Sequence, residues 1–187
     1  MNKIPQITVH GRFQPPLHVN HWAYIEQGFA RAEHVTILIT NPFLDEAFEA
    51  SASWRNDPTN NPFSYEERIA MFDKFFTAMG VNQERYTFKP FNIKDDNAFA
   101  ELNSKVPNLV NVYSEWSAKK VEAFQDHGLE VIRLNIPKSK PVSGTLIREI
   151  IANTTDISQL PDQLIEAGFM PEALPGLIEV LKNRENH

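Results

Sequence analysis

The sequence has no cysteine among its 187 residues. That excludes a disulfide framework and a zinc site built on thiolates, and it suits a cytoplasmic protein. No stretch approaches the roughly 20 consecutive apolar residues that a membrane span needs. The N-terminal segment shows neither a long apolar run nor a signal-peptide pattern. A surplus of basic residues is also missing. Lys and Arg number 18 against 24 Asp and Glu, a net charge of −6, which argues against a general nucleic-acid footprint. An anionic substrate must therefore be captured by a local arrangement of donors, not by the overall field. Internal repeats and low-complexity segments are absent too. What is present is 42% hydrophobic residues, enough for a core and too many for a disordered chain. The length fits one domain with a small C-terminal appendage, read as residues 1–155 and 156–187.

Hydrophobic patterning predicts alternating elements. Ile4 to His10, with Ile7 and Val9, reads as a buried strand. Asn20 to Ala32 reads as a helix with Trp22, Ile25 and Phe29 on one face. Val35 to Thr40 is the next strand, and the three form a βαβ unit. A helix over Ser64 to Met79 follows, opened by a capping box of Ser64 and Glu67. Further strands are expected at Tyr86–Phe91, Leu109–Tyr113 and Leu129–Leu134. Helices are expected at Ser117–Asp126, closed by Gly128, and from Ser143 to about Ala152. The tail from Leu160 reads as helix broken by Pro161, Pro171 and Pro175. The expected class is α/β: a Rossmann-like parallel sheet of about five strands, helices on both faces, and a small C-terminal helical tail. The connection Asn41–Pro62 is long for a compact domain. It reads either as a lid over a site or as a surface insertion with a short helix near Asp45–Ala50.

Two strand-to-helix turns carry chemistry. In the first, Gly11 and Arg12 precede His18 and His21, which flank a predicted helix start. A helix N-terminus offers unpaired N–H groups and the positive end of the macrodipole, a natural phosphate site. Two imidazoles can add donors there, and Arg12 adds a fixed positive fork. Gly11 lets the backbone approach closely. A His pair three residues apart is also a common surface feature and sometimes a metal-binding one, so spacing alone does not decide. The second turn is Ser143-Gly144-Thr145-Leu146-Ile147-Arg148. Ser143 or Thr145 can cap the helix while its free N–H groups cradle phosphate, with Arg148 one turn in. Alone, this would be a capped helix with a solvated arginine. Two such turns at the same predicted sheet edge favour an anion site.

In this order, the motifs Gly11-Arg12-Phe13-Gln14-Pro15, His18-x-x-His21, Asn61-Pro62-Phe63-Ser64-Tyr65-Glu66-Glu67-Arg68 and Ser143-Gly-Thr-x-x-Arg148 resemble the nucleotidylyltransferase superfamily. Within it the chain is most similar to archaeal-type nicotinamide-nucleotide adenylyltransferases. The resemblance extends to Arg85-Tyr86 and Val112-Tyr113-Ser114. It implies transfer of AMP from ATP to nicotinamide mononucleotide, giving NAD and pyrophosphate, with Mg2+ carried by ATP and no covalent enzyme intermediate. It also implies His18, His21 and Arg148 as catalytic groups. Gly11, Arg12, Phe13, Gln14, Asn20, Ser143, Gly144 and Thr145 would be nucleotide-binding. No protein ligand to a metal is assigned. The implied partners are a nucleoside triphosphate and a small phosphorylated acceptor, with no nucleic acid and no membrane; a homo-oligomer is left open.

Three departures bear on the substrate. Asn20 replaces the glycine of the family's His-x-Gly-His, and Pro16-Leu17 makes the stretch before His18 one residue longer. The tryptophan that the family carries after an Asn-Ala pair is missing, since Asn97-Ala98 is followed by Phe99-Ala100, and Glu115-Trp116 stands where the family has Gly-Asn. Arg55, Trp116 and Asn97 are the acceptor-side candidates. Trp54 could also reach the site; Asp95 and Asp96 could orient an acceptor, but paired acids in a loop are usually just solvated. The alternatives are a cytidylyltransferase, an adenylyltransferase acting on another phosphorylated or phosphonylated acceptor, or a non-catalytic nucleotide sensor.

Overall fold

The computed structural model describes residues 2–40, 57–137 and 141–185. These fall into two compact units. One holds residues 2–12, 23–40 and 84–137, the other residues 13–22, 57–83 and 141–185.

The first unit contains a five-stranded parallel sheet, ordered β3-β2-β1-β4-β5. Its strands are β1 (Ile4–Gly11), β2 (Ala32–Thr40), β3 (Tyr86–Phe91), β4 (Asn108–Asn111) and β5 (Val131–Leu134). The expected Rossmann-like α/β class is what the structure has. In β1, residues Ile7 to His10 are all buried, and in β2 so is every residue from Val35 to Thr40. Strands covered on both faces lose the in–out alternation, which is why they read as continuous apolar runs. The strand order reverses between β1 and β4, where open α/β sheets bind ligands.

Particular side chains set the register there. Thr8 hydroxyl donates to the Asn108 side-chain oxygen, and Asn108 Nδ2 donates to Glu130 O at 3.2 Å. The Tyr24 hydroxyl accepts from His10 N at 3.2 Å and donates to Leu109 O. Burial raises the Tyr24 pKa, so the phenol stays a donor. His10 is buried against Phe124, ring centroids 5.0 Å apart. Burial, and next the Lys120 charge, hold its pKa well below the ordinary histidine value, so the imidazole is neutral.

Helix α1 (Val19–Arg31) buries Tyr24, Ile25, Gly28 and Phe29. A Cβ on Gly28 would lie 3.1 Å from Val9 Cγ1, so this glycine sets how closely helix and strand approach. Strand β2 begins directly after the helix, at Ala32 and not at Val35. Arg85 satisfies the exposed helix end, donating from Nη2 to Phe29 O and Ala32 O, both at 2.9 Å. Two short or shifted elements escape the pattern. Helix α3 (Asp96–Ala100) was not expected, and α4 (Glu115–Asp126) starts two residues early because Ser114 caps it.

The second unit is built on α2 (Tyr65–Ala78), α5 (Gly144–Asn153), α6 (Leu160–Glu166) and α7 (Leu174–Glu185). Phe13, Phe63, Phe72, Phe75, Phe76, Ile147, Leu164 and Leu177 are buried. The Ser64–Glu67 capping box is present at the start of α2. Gly176 lets α7 sit against α2, since a Cβ there would meet Met71 Cα at 3.1 Å. The three tail prolines do not break helices. Each lies in the first two positions of a helical turn, at α6, at the 3-10 turn Pro171–Ala173 and at α7. There the missing N–H would have no intrahelical partner anyway. Among the described residues no helix is long and apolar enough to cross a membrane.

Candidate active site

Strand β1 ends at Gly11, and the chain continues through Arg12 into a loop of unusual backbone. Phe13 (φ 50°) and Leu17 (φ 79°) both adopt the left-handed region without being glycine, a conformation that side chains resist. Both are buried, so packing holds them there. The Phe13 ring meets Phe72 and His21 edge-on, each at 5.1 Å. Met170 N donates to Leu17 O and Val19 N to Gly168 O, both at 3.0 Å. The extra residue before His18 is thus absorbed at Leu17, and the loop is strapped to residues 168–170.

The two histidines stack, with ring centroids 3.5 Å apart and planes 20° apart. Leu17 N donates to His21 Nδ1 at 3.2 Å, and His21 N donates to His18 Nδ1 at 3.3 Å. The same His21 N–H donates to the His18 main-chain oxygen at 2.8 Å, so its approach to His18 Nδ1 is the weaker branch of a shared bond. Where Nδ1 of a neutral ring accepts, as in His21, the proton sits on Nε2. The Leu17 N–H thereby favours His21 as an Nε2 donor, a form that can bond a phosphate oxygen. His18 is buried and His21 half-buried. Asn20, in place of the expected glycine, reaches Val142 O with Nδ2 at 3.5 Å. That long contact links the start of α1 to the residue before Ser143.

Ser143 caps α5, its Oγ accepting from Leu146 N at 3.2 Å. Arg148, on the next turn, points back at the first loop. Its Nη1 donates to Gln14 O at 2.7 Å, and its Nη2 donates to Asn60 Oδ1 and Thr145 Oγ1, each at 3.1 Å. Gly144 makes room for this, since a Cβ there would sit 2.8 Å from Gln14 O. Gln14 is itself pinned by two bonds. Its Nε2 donates to Phe63 O at 2.7 Å and its Oε1 accepts from Phe63 N at 3.1 Å. These hydrogen-bond partners of Arg148 are neutral oxygens, and burial lowers its pKa while Glu149 opposes the shift. A guanidinium remains charged even so. A buried cation with neutral acceptors is suited to receiving an anion.

The structure therefore brings Phe13, Gln14, His18, Asn20, His21, Ser143, Gly144, Thr145 and Arg148 together in one unit. Gly11 and Arg12 lie at the strand end in the other. Asn97 is exposed in α3, where its N–H donates to Asp95 Oδ1 at 2.9 Å. Asp96 Oδ1 meets His127 Nε2 at 3.1 Å. These two acids are thus a helix cap and a histidine partner. Arg55, Trp54 and the short helix proposed near Asp45–Ala50 lie outside the described residues, as does most of the long connection. Trp116 is the second residue of α4, and its side chain is likewise outside them. Among the described residues no group of three or more His, Asp or Glu side chains could hold a metal ion. Sequence reasoning missed Asn60, the last residue of a 3-10 turn (Pro58–Asn60) that Asp57 caps; Asp57-Pro58 signals the turn but not its partner.

No family model matches the chain. Over 147 residues it is 33% identical to phosphonoformate cytidylyltransferase of Streptomyces viridochromogenes, covering 78% of this chain and 79% of that protein. The chain belongs to the nucleotidylyltransferase superfamily. The enzyme is also 26% identical over 177 residues to nicotinamide-nucleotide adenylyltransferase of Methanothrix thermoacetophila, covering 94% of this chain and 89% of that one. Two solved structures of a bifunctional NMN adenylyltransferase/ADP ribose pyrophosphatase from Francisella tularensis share the fold. One superposes with a TM-score of 0.57 at 17% identity, over 82% of this chain and 44% of that chain. The other, complexed with AMP and a manganese ion, gives 0.58 at 17% identity, over 97% and 54%. The enzyme thus spans about half the length of those bifunctional chains. It is a nucleotidyltransferase of the cytidylyl- or adenylyl-transferring kind.

Proposed function

We propose that the enzyme transfers a nucleoside monophosphate from CTP to an oxygen of a small phosphonate-bearing acceptor, releasing pyrophosphate. The observation that carries the phosphate site is the clasp between Gln14 and Arg148, which joins the histidine loop to the start of α5. An acceptor oxyanion attacks the α-phosphorus in line. The new P–O bond forms as the bond to the bridging oxygen breaks, and the electron pair leaves on pyrophosphate. His18 and His21 donate from Nε2 to the oxygens of the reacting phosphate, where charge grows in the transition state. Thr145, Arg148 and the first N–H groups of α5 hold the outer phosphates, with Ser143 capping the helix and Gly144 giving close access. The resemblance assigns the nucleotide side to Gly11, Arg12, Phe13, Gln14 and Asn20, and it leaves Arg55, Asn97 and Trp116 as the acceptor-side candidates. The donor set of N–H groups fits phosphate oxygens and not a cation. A divalent ion such as Mg2+ therefore arrives with the triphosphate as part of the substrate.

CTP and a phosphonate are favoured by the 33% identity to the cytidylyltransferase and by the missing tryptophan after Asn97-Ala98. A second reading, ATP with nicotinamide mononucleotide to give NAD, is favoured by the order of the motifs and by the match over 94% of the chain to the archaeal adenylyltransferase. Pyrophosphate release from a matrix of ATP and CTP against phosphonoformate and nicotinamide mononucleotide separates them. Turnover of CTP with phosphonoformate supports the first, and turnover of ATP with the mononucleotide supports the second. No release from any pair rejects both.

A further inference from the structure

Arg184 lies in the last turn of α7, far along the chain from either phosphate turn. Its Nε donates to Glu67 Oε1 at 2.6 Å, and its Nη2 donates to Glu67 Oε2 and to the main-chain oxygen of Pro62. Its guanidinium also lies 4.8 Å from the centroid of the Phe63 ring. Glu67 is the capping-box residue of α2, with Oε2 accepting from Ser64 N at 2.7 Å. One guanidinium thus grips Pro62, Phe63 and the cap that follows them. Phe63 is 1% exposed, and its N–H and C=O are both bonded to the Gln14 side chain. The main-chain oxygen of Gln14 is the acceptor for Arg148 Nη1 at 2.7 Å. Arg184 and Arg148 are therefore connected through hydrogen bonds, the Pro62–Phe63 backbone, and the side chain and carbonyl of Gln14.

We infer that Arg184 is a positioning residue for nucleotidyl transfer: acting through Glu67, Pro62–Phe63 and Gln14, it fixes where Arg148 presents its guanidinium to the triphosphate. The inference rests on the reading of Arg148 as a triphosphate-binding group. A planar fork held bidentately by a carboxylate fixes orientation as well as distance, which a point charge does not. A solvent-facing ion pair by itself contributes little to stability. The distinctive property of this one is the additional backbone acceptor and the buried ring beneath it. Small displacements of a group that positions reacting atoms are costly in rate.

The test uses the full chain and inorganic tripolyphosphate as the binding probe, measured by titration calorimetry on variants whose folding is checked by circular dichroism. Arg184→Gln removes charge and fork, and Arg184→Lys removes the fork alone. Arg148→Ala reports on the underlying reading. Arg184→Gln is expected to weaken tripolyphosphate binding by about tenfold, one decade in Kd, and to raise the donor KM while the acceptor KM stays fixed. Arg184→Lys should fall between Arg184→Gln and the native protein. In the Arg148→Ala background, Arg184→Gln should add no further loss, as coupled residues do not add. Native binding in Arg184→Gln, or a lower melting temperature with unchanged probe affinity, overturns the inference. So does a full additional loss in the Arg148→Ala background. If Arg148→Ala itself binds the probe like the native protein, the reading of Arg148 fails and the inference falls with it. Should Arg184→Gln not fold, Arg184→Lys decides: weaker binding supports the inference and native binding overturns it.

Discussion

Arg148 Nη1 donates to the main-chain oxygen of Gln14 at 2.7 Å, across 134 positions of sequence. This bond joins two turns that the sequence offers separately, the two that the proposed reading uses for phosphate. Gly144 stands at the crossing point, and its missing Cβ is what the bond requires.

Gly144→Ala should therefore break the clasp. A methyl group 2.8 Å from Gln14 O and 3.2 Å from Arg148 Nη1 forces one of them to move. A cost of about 1–3 kcal/mol is expected from overpacking of this kind. Chemical denaturation measures the stability, and a raised donor KM should accompany the loss. Native stability with native donor KM would show that the crossing is looser than described.

The histidines should divide their work by atom. His21→Asn can keep an oxygen where Nδ1 accepts from Leu17 N, but it has no group at the Nε2 position. It should fold normally and lose about 10²–10³-fold in kcat, the typical cost of one lost transition-state donor. His21→Gln can keep a donor near Nε2 and lose the backbone contact, so its damage should appear first as a lower melting temperature. Equal behaviour of the two variants would deny the tautomer argument.

Asn20→Gly returns the family's glycine to the second residue of α1. Glycine in a helix costs roughly 0.5–1 kcal/mol relative to alanine but only about 0.3 kcal/mol relative to asparagine, and the contact to Val142 O is lost. Thermal unfolding should fall modestly while turnover persists. Loss of all turnover would make Asn20 essential and not merely permitted.

Glu67 carries a pH dependence. Burial alone would raise its pKa, but the Arg184 side-chain bond, the Ser64 N–H and the nearby Arg184 and Arg68 charges outweigh it and hold the carboxyl below its ordinary value. A group with a depressed folded pKa stabilises the protein above its unfolded pKa, and that contribution is lost as pH falls through the folded pKa. Melting temperature followed on the acid side should fall less steeply for Glu67→Gln than for the native protein. Parallel curves would show that the Arg184–Glu67 pair contributes nothing.

Much of this was legible because its causes are local. The buried runs Ile7–His10 and Val35–Thr40 announce covered strands, and Ser64 with Glu67 announces a capped helix. His18, His21 and the Ser143–Arg148 turn were recognisable by type and order. Other features depend on groups far apart in the chain. Leu17 takes a left-handed φ because residues 168–170 hold it there, and Pro16-Leu17 shows only that something must bulge. Asp57-Pro58 signals the turn that ends at Asn60, but the partner of Asn60, Arg148, lies 88 positions away. Arg184 stands in the polar last turn of α7, and its partners lie 117 and 122 positions away, where no local pattern points to them. The tail prolines misled for a definite reason: a proline in the first turn starts a helix as readily as a proline in the middle stops one.

The central claim is transfer of a nucleotidyl group at the site formed by His18, His21 and Arg148. Phosphorus-31 NMR of the protein with CTP, magnesium and phosphonoformate tests it most directly, repeated with ATP and nicotinamide mononucleotide and with the His21→Asn variant. One pair should give a new phosphoanhydride signal and pyrophosphate in equal amounts with the native protein, and neither with the variant. No new signal from either pair, or an undiminished one from folded His21→Asn, would contradict the account.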